Sequence, residues 1–164
     1  MPVFYLETSA ILKRYKSEKG SDVVTELIEG KRTDETFVTS HLSVFEVNCV
    51  AARLLKGRLR RRRQYETMIG TFVQDISKYG ITVLPLQDAI VSECIELLPA
   101  YTLRTADALH FATAIRIKRA LGKKSFYMVS TDKDIVEACA RYQLDVFNPE
   151  SDTAVSKLHA VRSD

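Results

Sequence analysis

The chain has 164 residues, 46% hydrophobic and 27% charged. That balance excludes a globally disordered polymer and suits one domain with a real core. Net charge is +3, yet residues 53–63 carry seven bases (Arg53, Lys56, Arg58, Arg60, Arg61, Arg62 and Arg63) and no acid, while acids outnumber bases elsewhere. Such a stripe suits a phosphate backbone or another anionic partner, and equally a solvated helix face. No apolar run approaches the ~18 residues needed to cross a bilayer. Residues 1–6 lack the basic segment and long apolar stretch of a secretory leader. Cys49, Cys94 and Cys139 are odd in number and scattered, with no CxxC pair. A disulfide framework or structural zinc site is disfavoured, and a reducing cytoplasm is the expected compartment.

Residues 3–6 form a short apolar run that reads as a buried strand. Thr8 or Ser9 caps a helix over 9–15, in which Lys13 and Arg14 read as surface residues. Val23, Val24, Leu27 and Ile28 give a second helical stripe, ended at Gly30. A strand is predicted over 36–39, then a helix over 42–56 with Leu42, Phe45, Cys49, Val50 and Leu54 on one side. A basic helix continues over 58–79. Beyond it come a strand over 81–84, helices over 88–98 and 105–121, and a strand over 126–129. A helix over 133–142, a strand over 144–147 and a polar tail over 150–164 complete the chain. Strands alternating with helices predict a three-layer α/β/α sandwich around a mainly parallel sheet of about five strands.

In such folds, functional groups gather at the carboxyl ends of the strands. Glu7 directly follows the first predicted strand, and Asp132 follows the fourth after Ser130 and Thr131. Taken singly, an acid near a helix start is explained by the helix dipole, worth ~0.3–1 kcal/mol. Asp132 also fits an N-cap, and Asp134 a first-turn acid. Glu46 and Asp107 resist that account. Glu46 stands four residues from both Leu42 and Val50, and Asp107 four from both Leu103 and Phe111, so each lies on an apolar row. An inward carboxylate costs several kcal/mol unless compensated. No evident basic partner shares either row, so a hard divalent cation is the economical counter-charge. His110, three residues after Asp107, reads as a packed, hydrogen-bonded histidine or one that orients a carboxylate. Cys49 reads as a small core residue.

Four segments then carry a resemblance: VFYLETSAILKRY, SHLSVFEVNCVAAR, LRTADALHFATAI and MVSTDKDIVEACARYQLDVFNP, the last closing on Asn148 and Pro149. In order and spacing they are similar to the acidic segments of the PIN-domain family, and more narrowly of the VapC-type toxins of toxin–antitoxin pairs. The resemblance implies a PIN-like domain over 1–149. It implies an endoribonuclease that uses Mg2+ or Mn2+, with Glu7, Glu46, Asp107 and Asp132 as metal-binding acids. Ser9 and Thr131 would supply hydroxyls that position water or a carboxylate. RNA would be cut to a 5′-phosphate and a 3′-hydroxyl, a small antitoxin would block the activity, and self-association is common among such toxins. One residue departs from the pattern: the family usually has aspartate where this chain has Glu7. The longer side chain matters because magnesium demands near-octahedral geometry at ~2.0–2.1 Å. The competing expectation is therefore a catalytically weak PIN-like module that binds RNA or a protein partner through its basic helix.

Overall fold

Val3–Leu6 (β1) is buried along its whole length and lies at the centre of the sheet. The computed structural model describes residues 1–56 and 59–163. Strand β1 pairs in parallel with Thr36–Ser40 (β2) on one side and Phe126–Val129 (β4) on the other. Thr82–Leu84 (β3) and Val146–Phe147 (β5) form the edges, giving the order β3-β2-β1-β4-β5, parallel throughout. Alternation along β1 divides the interior in two. Phe4 and Leu6 enter one core, and Val3 and Tyr5 enter the other. A parallel sheet covered on both faces follows from that pattern.

The first core is roofed by Thr8–Lys13 (α1), Ser21–Glu29 (α2), His41–Ala52 (α3) and Leu59–Lys78 (α4). Thr105–Leu121 (α6) and Lys133–Tyr142 (α7) cover the second, and Asp88–Leu97 (α5) packs outside α6. Among the described residues, no helix is long and apolar enough to cross a membrane.

Three expectations change on folding. Residues 150–164, expected as a polar tail, contain helix α8 (Ala154–Ser163). Its Ala154 and Leu158 enter the first core, and Arg162 donates to buried Glu35 at 2.8 and 3.0 Å. Lys13, read as a surface residue, is buried because Glu150 (2.5 Å) and Glu18 (3.3 Å) surround its ammonium group. Helix α3 ends at Ala52 and passes into a 3-10 turn, Arg53–Leu55. Its buried residues are Ser43, Val47 and Ala51, whereas Phe45 is 66% exposed and Cys49 only partly buried. Apolar residues occur all round this helix, so periodicity could not select its inner face.

Candidate active site

The chain reverses its order across the sheet at β1, and the carboxyl ends of β1, β2 and β4 meet there. Crevices at such switch points are the ligand sites of open α/β sheets. Glu7 leaves β1 and caps α1, its Oε1 accepting from the Ser9 amide at 3.0 Å. Its Oε2 accepts from the Ser9 hydroxyl at 2.5 Å and the Ser130 hydroxyl at 2.9 Å. Burial pushes the Glu7 carboxyl above its ordinary range, and His110 and these hydrogen bonds do not fully offset it.

Two serines join the corners that hold the first and last acids. Ser9 Oγ accepts from the Thr131 amide at 3.0 Å, and Ser130 Oγ accepts from the Asp132 amide at 3.1 Å. Asp132 caps α7, its Oδ1 accepting from the amides of Asp134 (3.0 Å) and Ile135 (3.3 Å). Thr131 thus joins this network through its backbone amide. The hydroxyl that reaches Glu7 from β4 belongs to Ser130, which sequence reasoning passed over.

Glu46, on α3, is held from two directions. Its Oε2 accepts from Thr8 Oγ1 at 2.5 Å and from His110 Nε2 at 2.8 Å. His110 comes from α6, so the missing partner of Glu46 lies on another helix. The tautomer with its hydrogen on Nε2 satisfies every group: Nδ1 accepts from the buried Tyr5 hydroxyl at 2.8 Å. Burial pushes Glu46 up, but the hydrogen bonds of His110 and Thr8 win and hold it below the usual carboxylate value. Replacing Tyr5 by Phe leaves His110 Nδ1 buried without a donor. The expected cost is about 1–3 kcal/mol of folding stability, read from urea denaturation.

Asp107 sits in the first turn of α6, and its partner lies three residues back. Arg104 Nε donates to Asp107 Oδ2 at 2.9 Å, and Nη2 donates to Asp132 Oδ2 at 3.2 Å. Burial and then the Asp132 charge push Asp107 up, against the pull of Arg104. Glu7, Ser9, Glu46, Arg104, Asp107 and Asp132 thus line one cleft of about 390 Å³. Donor atoms of Glu7, Glu46 and His110 lie within 4.8 Å of one another, as do those of Asp107, Asp132 and Asp134. Both nitrogens of His110 are engaged, so the donors left for an ion are carboxylate oxygens, the set that suits a hard divalent cation.

Basic residues flank the acids. Arg53 lines the cleft, and the next residue, Leu54, lines an adjoining groove with Arg14, Tyr15, Lys16, Arg63 and Met68. Arg61, Arg62 and Arg63 are exposed near the start of α4, and Arg62 pairs with Glu66 at 3.1 Å. Arg58 lies outside the described residues. Cys49, expected in the core, lines the carboxylate cleft instead.

A family model described as the PIN domain matches residues 4–143, a span that contains all four acids. The chain belongs to the PIN domain family. This PIN domain is 32% identical over 120 residues to Ribonuclease VapC47 of Mycobacterium tuberculosis (strain CDC 1551 / Oshkosh), covering 73% of this chain and 79% of that protein. Its fold is similar to that in the structure of FitAB bound to an IR36 DNA fragment, with a TM-score of 0.64 and 17% identity, covering 90% of this chain and 96% of that one. It is also similar to VapBC-1 from nontypeable Haemophilus influenzae, with a TM-score of 0.63 and 12% identity, covering 91% of this chain and 99% of that one. At those identities the likeness is one of fold. Helix α8 lies beyond the matched span of the PIN domain.

Proposed function

We propose that this PIN domain is a divalent-metal-dependent endoribonuclease and the toxin of a toxin–antitoxin pair. One observation carries the proposal: four carboxylates from four separate segments line a single cleft at the carboxyl edge of a parallel sheet. The likeness to a protein named as a ribonuclease, and the fold shared with VapBC and FitAB structures, support the same reading. They also support a small antitoxin as partner, with self-association as a further family trait. Three free cysteines fit a cytoplasmic protein.

Glu7, Glu46, Asp107 and Asp132 would hold Mg2+ or Mn2+, which supplies a bound water of lowered pKa and positive charge facing the scissile phosphate. The chain's own residues do the rest. Ser9 and Ser130 lock the Glu7 rotamer, so the extra methylene of glutamate is taken up within a fixed hydrogen-bond frame. Thr8 and His110 fix Glu46 and keep it ionised. Arg53 and the exposed bases of α4 offset the repulsion between acids and RNA by holding backbone phosphates beside the cleft. RNA affinity then falls steeply with salt. Replacing Arg61 or Arg63 by Ala lowers the slope of log affinity against log salt by about 0.7 for each phosphate that is no longer neutralised, measured by fluorescence anisotropy on single-stranded RNA.

A metal-titrated cleavage assay tests the proposal. Mg2+ or Mn2+ restores strand scission to EDTA-treated protein, and the products carry 5′-phosphate and 3′-hydroxyl ends. A second reading, a module that binds without cutting, draws on Glu7, whose oxygens both accept hydrogen bonds from protein donors. RNA binding with no scission at any metal concentration would establish that module instead.

A further inference from the structure

The two sides of the cleft are neutralised differently. Around Glu7 and Glu46 the partners are hydroxyls, an amide and His110. Around Asp107 and Asp132 the partner is a permanent cation. Among the described residues, Arg104 is the one lysine or arginine paired with a carboxylate of the cleft. Its guanidinium bridges the acids through two nitrogens, Nε to Asp107 and Nη2 to Asp132. Packing does not hold it there. The Arg104 side chain is 73% exposed, while those of Asp107 and Asp132 are 13% and 24% exposed. Arg104 flanks α6 at its N-cap position, where its guanidinium, which carries donors only, cannot cap the helix amides and bonds the two aspartates instead. Asp134 places a third carboxylate within 4.8 Å of the bridged pair. Without the guanidinium, three like charges would face one another.

We propose that Arg104 is the resident counter-ion of the Asp107–Asp132 pair, filling the electrostatic role of a second divalent ion, so that the cleft binds one such ion per chain. A guanidinium suits this role because it stays charged throughout the working pH range and presents a rigid fork of donors to two carboxylates at once. With one ion already shared by the four acids, a second entering at the Asp107 and Asp132 oxygens that face the guanidinium would meet like charge at close range. The first ion rests on the metal-dependent reading above, whereas the exclusion of a second rests on Arg104 alone.

Titration of the purified chain with Mn2+ and no RNA, followed by calorimetry and by the resonance of free Mn2+, counts the ions. Wild type takes up one ion. Arg104→Ala and Arg104→Gln take up two, Arg104→Lys stays at one because it keeps the charge, and Arg104→Ala combined with Asp132→Asn returns to one. The exposure of Arg104 predicts melting curves for the single variants close to wild type, which checks that they fold. Two ions on wild type, or one on both Arg104→Ala and Arg104→Gln, overturn the proposal. One ion on wild type without RNA cleavage sinks the nuclease reading and leaves the counter-ion role standing. No ion on wild type and one on Arg104→Ala sinks the metal-dependent reading and upholds the competition. No ion on either overturns both.

Discussion

Under the proposed function, Asp107→Asn abolishes metal-dependent RNA cleavage while leaving the fold intact. The exchange preserves size and removes one charge, so the first turn of α6 keeps its packing and loses at most the dipole term of ~0.3–1 kcal/mol. Arg104 keeps its bond to Asp132. The cleft, however, loses a carboxylate whose side chain is only 13% exposed and which sits beside Asp132 at the mouth of the site. Removing groups that merely orient a metal-binding side chain lowers affinity or activity by about 10–100-fold, so loss of a carboxylate proposed to hold the ion itself is expected to exceed that range. Cleavage rates across a Mg2+ titration, with circular dichroism as the folding control, measure it. Undiminished cleavage, free of contaminating nuclease, would remove Asp107 from the reaction.

Leu158→Ala destabilises the whole domain by about 2–5 kcal/mol, the range for a fully buried leucine cut back to alanine. Leu158 has no exposed surface and shares one core with Leu27 and Phe147. Helix α8 is attached by Ala154 and Leu158, one helical turn apart, and by Arg162 in its ion pair with Glu35, with Lys157 donating to the Val146 carbonyl and His159 meeting Glu26. Urea denaturation of the variant reads the loss as a lower midpoint with an unchanged slope. A dispensable surface tail would give a change within about 0.5 kcal/mol.

The central strand and the positions of the acids were legible because both are local signals. A run of apolar residues ending in Glu7 reads as a strand followed by a carboxylate at its mouth. The same logic located Asp132 after the fourth strand. Ser9 and Arg104 lie within three residues of the acids they bond, but the distant partners were not legible, because they meet only in three dimensions. Tyr5 and His110 are 105 residues apart, and Glu46 and His110 are 64 apart. No spacing rule connects a strand residue to a histidine on the far helix. Ser130 was passed over for its neighbour Thr131 because side chains alternate along an extended segment, and one position decides which hydroxyl faces β1. Helix α8 escaped notice because a mostly polar segment needs only a few well-placed apolar residues to dock.

The bond between Glu7 and Ser130 sets a timetable for the completion of the cleft during protein synthesis. These residues are 123 positions apart, and β4 must slot beside β1 before their side chains meet. At ribosomal speeds of ~5–20 residues per second, the interval between making one and making the other is roughly 6–25 s. Throughout it, the growing polypeptide lacks Asp132, and for most of it Asp107 as well, so it cannot complete the cleft. Whatever reaction the finished cleft performs, the ribosome that is building it is not yet exposed to it.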